Sequence, residues 1–63
     1  MRCYLMKDGQ IHSIEDLGDG PDEDLIEQAI AMLRQRARLG IEGIELWSER
    51  RFVYRARADQ IST

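Results

Sequence analysis

Apolar and polar residues alternate in short blocks along this chain, and the period of each block predicts an element. Cys3 to Lys7 holds the mostly apolar run Tyr4-Leu5-Met6 and reads as a strand. Asp8-Gly9 follows, the dipeptide that best tolerates the two positive φ angles of a type I′ hairpin turn, so Gln10 to Glu15 is the returning strand. Its apolar positions, Ile11 and Ile14, stand three apart where a regular strand needs two, which predicts a bulge or an early end.

Leu17-Gly18-Asp19-Gly20-Pro21 then breaks regular structure. Pro21 suits the first position of a helix, and Asp22, Glu23 and Asp24 place negative charge over the free N–H groups of its first turn. Ile26, Ala29, Ile30, Leu33 and Ala37 recur at helical spacing, and Leu25 and Met32 widen the stripe. Arg34, Arg36 and Arg38 crowd the end that favours cations, and Gly40 can close the helix in a left-handed conformation with Ile41 packing back. The helix is expected over 22–39.

Gly43 to Trp47 and Phe52 to Arg57 read as a second pair of strands around the polar loop Ser48-Glu49-Arg50-Arg51. A loop of even length sets Leu46 opposite Val53 and Trp47 opposite Phe52. Ile44, Leu46 and Val53 then share one face, and Trp47, Phe52 and Tyr54 the other. An odd loop would move Phe52 and Tyr54 onto the Ile44 face, because a slip of one residue exchanges faces. The even loop is the preferred reading. The expected architecture is α+β, a two-layer β-β-α-β-β domain over 1–57, with one amphipathic helix packed on a four-stranded, mainly antiparallel sheet. Ile26, Ile30, Leu33, Ile44, Leu46 and Val53 are its expected core, and 58–63 is expected to be a frayed tail.

With those elements in place, the chain resembles a group of short proteobacterial proteins to which no activity has been assigned. The resemblance rests on Tyr4, Asp8-Gly9-Gln10-Ile11, Glu15, Asp22-Glu23, Ala29, the Ile-Glu-x-Trp strand Ile44-Glu45-Leu46-Trp47, and the Arg-x-Val-x-Arg close Arg51-Phe52-Val53-Tyr54-Arg55. It covers nearly the whole chain but through short, mostly structural motifs. Glu49-Arg50 stands where the resemblance leads one to expect a Gly-containing turn. It implies the fold and no catalytic residue.

Composition narrows the function classes further. With 63 residues, 43% of them hydrophobic, the chain is one small domain and too short for a second domain or a cofactor-sized cleft. The one cysteine, Cys3, permits no internal disulfide, which favours the cytoplasm. The longest apolar run, Ala29 to Leu33, is too short for a membrane span or the core of a signal peptide. His12 is the only histidine. A Cys3–His12 pair across the first hairpin is conceivable, but a half-buried thiol and an exposed imidazole are the simpler expectation. Asp19, Asp22 and Asp24 lack the glycine and glutamate positions of a calcium loop, so capping and solvation account for them. No cofactor, metal site or enzymatic activity is expected.

Charge is distributed unevenly. Residues 1–33 hold 2 basic and 8 acidic side chains, whereas 34–63 hold 7 basic, all arginine, and 4 acidic. Arg50, Arg51, Arg55 and Arg57 gather on the last hairpin beside Trp47, Phe52 and Tyr54, and these seven form the candidate interaction surface. Rings and cations of this kind bind single-stranded nucleic acid, but such binders are usually basic and this chain has a pI near 5.0. The preferred expectation is a small interaction or regulatory module that forms a homodimer through an aromatic sheet face carrying Trp47, Phe52 and Tyr54, joined by Tyr4 and Met6. A single-stranded nucleic-acid-binding module is the alternative.

Overall fold

The computed structural model describes residues 1–61. The element order is β1 (Arg2–Lys7), β2 (Gln10–Asp16), α1 (Asp22–Arg36), a 3₁₀ turn (Ala37–Leu39), β3 (Gly43–Ser48), β4 (Arg51–Arg57) and α2 (Ala58–Ile61). All four strands join one antiparallel sheet in the order β2-β1-β3-β4. The β-β-α-β-β, two-layer α+β architecture read from the periodicities is the one found. The sheet order makes β1 and β3 the central strands, and α1 carries the chain from β2 across to β3.

The first hairpin turns on Asp8-Gly9 with φ of 55° and 75°, the two positive angles a type I′ turn requires. The odd Ile11–Ile14 spacing has its cause in a bulge. Leu5 pairs with Ser13 and Met6 with Ile11, so His12 is the extra residue. Helix α1 begins at Asp22 as expected, with Pro21 as its extended N-cap and not its first helical residue, and it gives way after Arg36 to the 3₁₀ turn. The Pro21 carbonyl accepts from the Asp24 and Leu25 N–H groups at 3.1 and 3.2 Å. At the other end Gly40 takes φ 94°, its N–H donates to the Ala37 carbonyl at 3.0 Å, and that of Ile41 donates to Arg36 at 3.3 Å. These two bonds form a Schellman closure, and Ile41 beyond it is buried in the core.

The core between the layers consists of Cys3, Leu5, Leu25, Ala29, Leu33, Ile41, Ile44, Leu46 and Ala56. Leu33, Ile44 and Leu46 are as expected. Ile26 and Val53 are only partly buried against the core, and Ile30 is half-buried, because the line of α1 that faces the sheet is Leu25-Ala29-Leu33. That line is offset by one residue from the Ile26-Ile30 row, and the sequence pattern, which holds both, does not say which is central.

The second hairpin corrects the register. The strands run to Ser48 and from Arg51, so the turn is the two residues Glu49-Arg50, with Glu49 at φ 56°. Trp47 does pair with Phe52, but Leu46 pairs with Tyr54 and not with Val53. Val53 is a bulge. The even loop therefore holds beside the turn, and the inserted residue restores the odd register beyond it. Phe52 lies on the helix-free face with Trp47, while Val53 and Tyr54 both pack against the core. Ala58 to Ile61 form a helical turn in place of the expected frayed start of a tail, tied down by the Ala58 N–H donating to the Glu42 carbonyl at 2.8 Å. Ser62 and Thr63, also assigned to that tail, lie outside the described residues.

Candidate functional site

Strand alternation fixes what the helix-free face displays. Cys3 and Leu5 point into the core, so Arg2, Tyr4 and Met6 of β1 point away from it. On β3 the buried Ile44 and Leu46 leave Glu45 and Trp47 on the far side. The β2 bulge brings both Ile11 and Ile14 onto this same face, opposite Met6 and Tyr4. On β4, Phe52 stands opposite Trp47 and Arg55 opposite Glu45. The face thus holds Tyr4, Met6, Ile11, Ile14, Trp47 and Phe52, of which Ile11, Ile14 and Phe52 are 56%, 53% and 47% exposed.

Trp47 and Phe52 meet edge-on, with ring centroids 5.4 Å apart and planes at 71°. The Arg55 guanidinium lies 5.8 Å from the Phe52 ring centroid, within cation–π range. Glu45 organises the centre. One of its oxygens accepts from Trp47 Nε1–H at 3.2 Å, and the other meets Arg55 at 3.2 Å. On the other side of Trp47 from Phe52, the residues Tyr4, Met6, Ile11, Glu45 and Trp47 line a shallow groove of about 380 Å³.

Of the seven residues the sequence singled out, Trp47, Phe52 and Arg55 come together on this face. Tyr54 does not, because the Val53 bulge turns it to the core side. Arg51 reaches back to Asp22 at the start of α1, 3.2 Å away, and Arg57 sits 3.6 Å from Asp59. Arg50 stays at the turn, beside Glu49, Arg2 and Asp16. Ile11, Ile14 and Glu45 belong to the face and were not singled out. The signal for the two isoleucines was their three-residue spacing, which only a bulge reconciles with one face.

Cys3 and His12 stand apart. Cys3 is fully buried and pairs with Glu15, whereas His12 is exposed at the bulge three residues further along. Burial pushes the Cys3 thiol up to about 11, against partial relief from the Arg36 charge and with a small addition from Glu15. It is a neutral packing group at physiological pH. Asp16, at the rim opposite Arg2, has its carboxyl held below the usual range by the Gly18 N–H it accepts at 2.8 Å and then by the amino terminus. Among the described residues no cluster of three or more His, Cys, Asp or Glu side chains could hold a metal, and no helix is long and apolar enough to cross a membrane. No family model, curated protein or solved structure matches the chain.

Proposed function

We propose that this chain is a small cytoplasmic protein-interaction module without catalytic chemistry, which self-associates through the helix-free face of its sheet. One observation carries the reading. A contiguous set of six apolar side chains lies on a face that no other element covers, and two of the cations bordering it are paired with the chain's own carboxylates. Arg55 is held by Glu45 and Arg57 by Asp59, while Arg2 lies opposite Asp16. A neutral, aromatic-rich face suits another protein surface of the same kind.

The sheet edges support a face contact over an edge contact. Both outer strands are bulged, β2 at His12 and β4 at Val53, and a bulge interrupts the row of N–H and C=O groups that edge pairing needs. Four strands about 4.8 Å apart, with residues rising ~3.3 Å, give the face an in-plane extent of roughly 400 Å². A standard interface takes ~800 Å² of accessible surface from each partner, so association here belongs at the weak, micromolar end. Sedimentation equilibrium at ~100 μM tests it. A dimer for the parent and a monomer for Trp47→Ala are expected, and a clean 7.3 kDa species for the parent would sink the proposal.

A second reading, single-stranded nucleic acid, is favoured by one arrangement. Tyr4 and Trp47 lie on the adjacent central strands and Phe52 follows on β4, a platform on which bases could stack. The in-chain pairing of Arg51, Arg55 and Arg57 weighs against it, because paired guanidinium groups neutralise few phosphates. Retardation of a labelled oligonucleotide at low salt would reverse the preference.

A further inference from the structure

Asp-Gly occurs twice in the chain, at Asp8-Gly9 and at Asp19-Gly20, and the fold treats the two differently. Glycine has no side chain to shield its amide nitrogen, so in such a pair that nitrogen is open to attack the preceding aspartyl side chain. We infer that Asp19 is a site of isoaspartate formation in the folded protein, and that the first hairpin, latched by Glu42, protects Asp8 from the same reaction.

The reaction balances with water alone. The Gly20 nitrogen bonds to Cγ of the Asp19 carboxylic acid, whose hydroxyl leaves with the amide proton as water, and a succinimide closes. Water then adds at one of the two ring carbonyls. Addition at the former backbone carbonyl breaks its bond to nitrogen. The main chain then runs through Cγ, one carbon longer, and the former backbone carbonyl becomes a free α-carboxylate.

Closure requires the attacking nitrogen to eclipse Cβ about the Cα–C bond, which in an L-residue means ψ of about −120°. Asp8 has φ 55°, in the left-handed region where ψ is about +30 to +60°, so the Gly9 nitrogen points to the opposite side. The turn is also held there. Lys7 pairs with Gln10 across it, and the Asp8 N–H donates to the Glu42 carboxylate. The Glu42 N–H in turn donates to the Met6 carbonyl at 2.8 Å. Asp19 takes no positive φ, and both wells open to it, with ψ about −40° or about +135°, lie nearer to closure. Its loop is fixed at Gly18, whose N–H donates to Asp16 at 2.8 Å, and at Pro21, whose carbonyl caps α1. Among the described residues no hydrogen bond holds Asp19 or Gly20 between those points. A Cβ at Gly18 or Gly20 would meet nothing within 4 Å, so the loop borders open space and has room for an added methylene.

Glu15 lies between the two sites, so a glutamate-specific protease places them on separate peptides. After prolonged incubation at mildly acidic pH, chromatography separates isoaspartyl from aspartyl peptides of equal mass. An isoaspartyl carboxyl methyltransferase, which esterifies the new α-carboxylate from S-adenosylmethionine, identifies them independently. Conversion at Asp19 should exceed that at Asp8 by at least about tenfold in the folded chain, and the two rates should converge to within about threefold in concentrated urea. Glu42→Ala, at an exposed position, should keep the parent's circular dichroism, speed conversion at Asp8 and leave Asp19 unchanged. No conversion at Asp19 in the folded chain, or comparable rates at the two sites, overturns the inference. So does a gap that survives in urea, because it would then belong to the flanking sequence and not to the fold. An unchanged Asp8 rate in a folded Glu42→Ala variant overturns the latch.

Discussion

Three residues occupy backbone or protonation states that set local costs. Gly40 closes α1 at φ 94°, and an added Cβ would lie 3.2 Å from Lys7 Cε, a flexible neighbour able to move. The cost of Gly40→Ala is therefore mainly the left-handed backbone, about 1–2 kcal/mol, seen as a lower midpoint in urea. Glu49 holds φ 56° without glycine's freedom. Glu49→Gly removes a penalty of that same ~1–2 kcal/mol and adds about 0.5–1 kcal/mol of unfolded-chain entropy, so a thermal melt should rise by a few degrees. Cys3 titrates at about 11 in the folded chain against 9.0 as the ordinary value. A raised folded value means that the neutral thiol's contribution is complete below pH 9 and is lost as pH climbs toward 11. Each unit of that shift is worth about 1.4 kcal/mol, so the two-unit window holds at most about 3 kcal/mol. Urea unfolding of the parent and of Cys3→Ala between pH 8 and 10.5 should show the parent losing more stability. Equal losses would show that the alkaline sensitivity does not arise at Cys3.

At the scale of elements, the offset of the buried row on α1 has a measurable consequence. Leu33→Ala removes a side chain with no exposure and should cost about 2–5 kcal/mol, much of a small domain's stability. Ile30→Ala, at a half-buried position off the central row, should cost only ~1 kcal/mol. Similar losses at the two positions would mean that the helix is rotated. Every main element was legible because each is specified locally. Asp8-Gly9 fixes one turn, the acidic start and Gly40 bracket the helix, and Ile44 to Trp47 supplies β-formers in a run. Register was less legible because bulges are settled by tertiary packing. The spacing of Ile11 and Ile14 announces one bulge, whereas Phe52-Val53-Tyr54 is an unbroken apolar run that fits a strand with or without one. Val53 is inserted where both it and Tyr54 find apolar contact with the core, and that contact moved Tyr54 off the candidate face. Gly43 marks the far end of the same strand pair. A Cβ there would lie 2.9 Å from the Ala56 carbonyl oxygen, so Gly43→Ala must push β4 away from β3 and destabilise the hairpin.

At the scale of the molecule, folding consumes much of the charge polarity that the sequence displays. The acidic first half and arginine-rich second half suggest complementary contacts between copies, yet Arg36 meets Glu15 at 3.0 Å and Arg51 meets Asp22 at 3.2 Å within one chain. These pairs join α1 to β2 and the start of β4 to the start of α1. On the helix-free face Glu45 holds Arg55 in the same way. What remains for a partner is apolar area, and apolar association responds to salt differently from ionic association. The proposed dimer should therefore change its dissociation constant by less than about threefold between 50 and 500 mM sodium chloride, because screening acts on pairs already closed inside each copy. Nucleic-acid binding through the same rings and arginines would instead weaken steeply, with a slope near −0.7 per phosphate contacted on a single strand. Sedimentation equilibrium across that salt range, run beside an oligonucleotide titration, separates the two. A dimer that falls apart as salt rises would show that interchain ion pairs hold it and that the apolar face is not the principal contact.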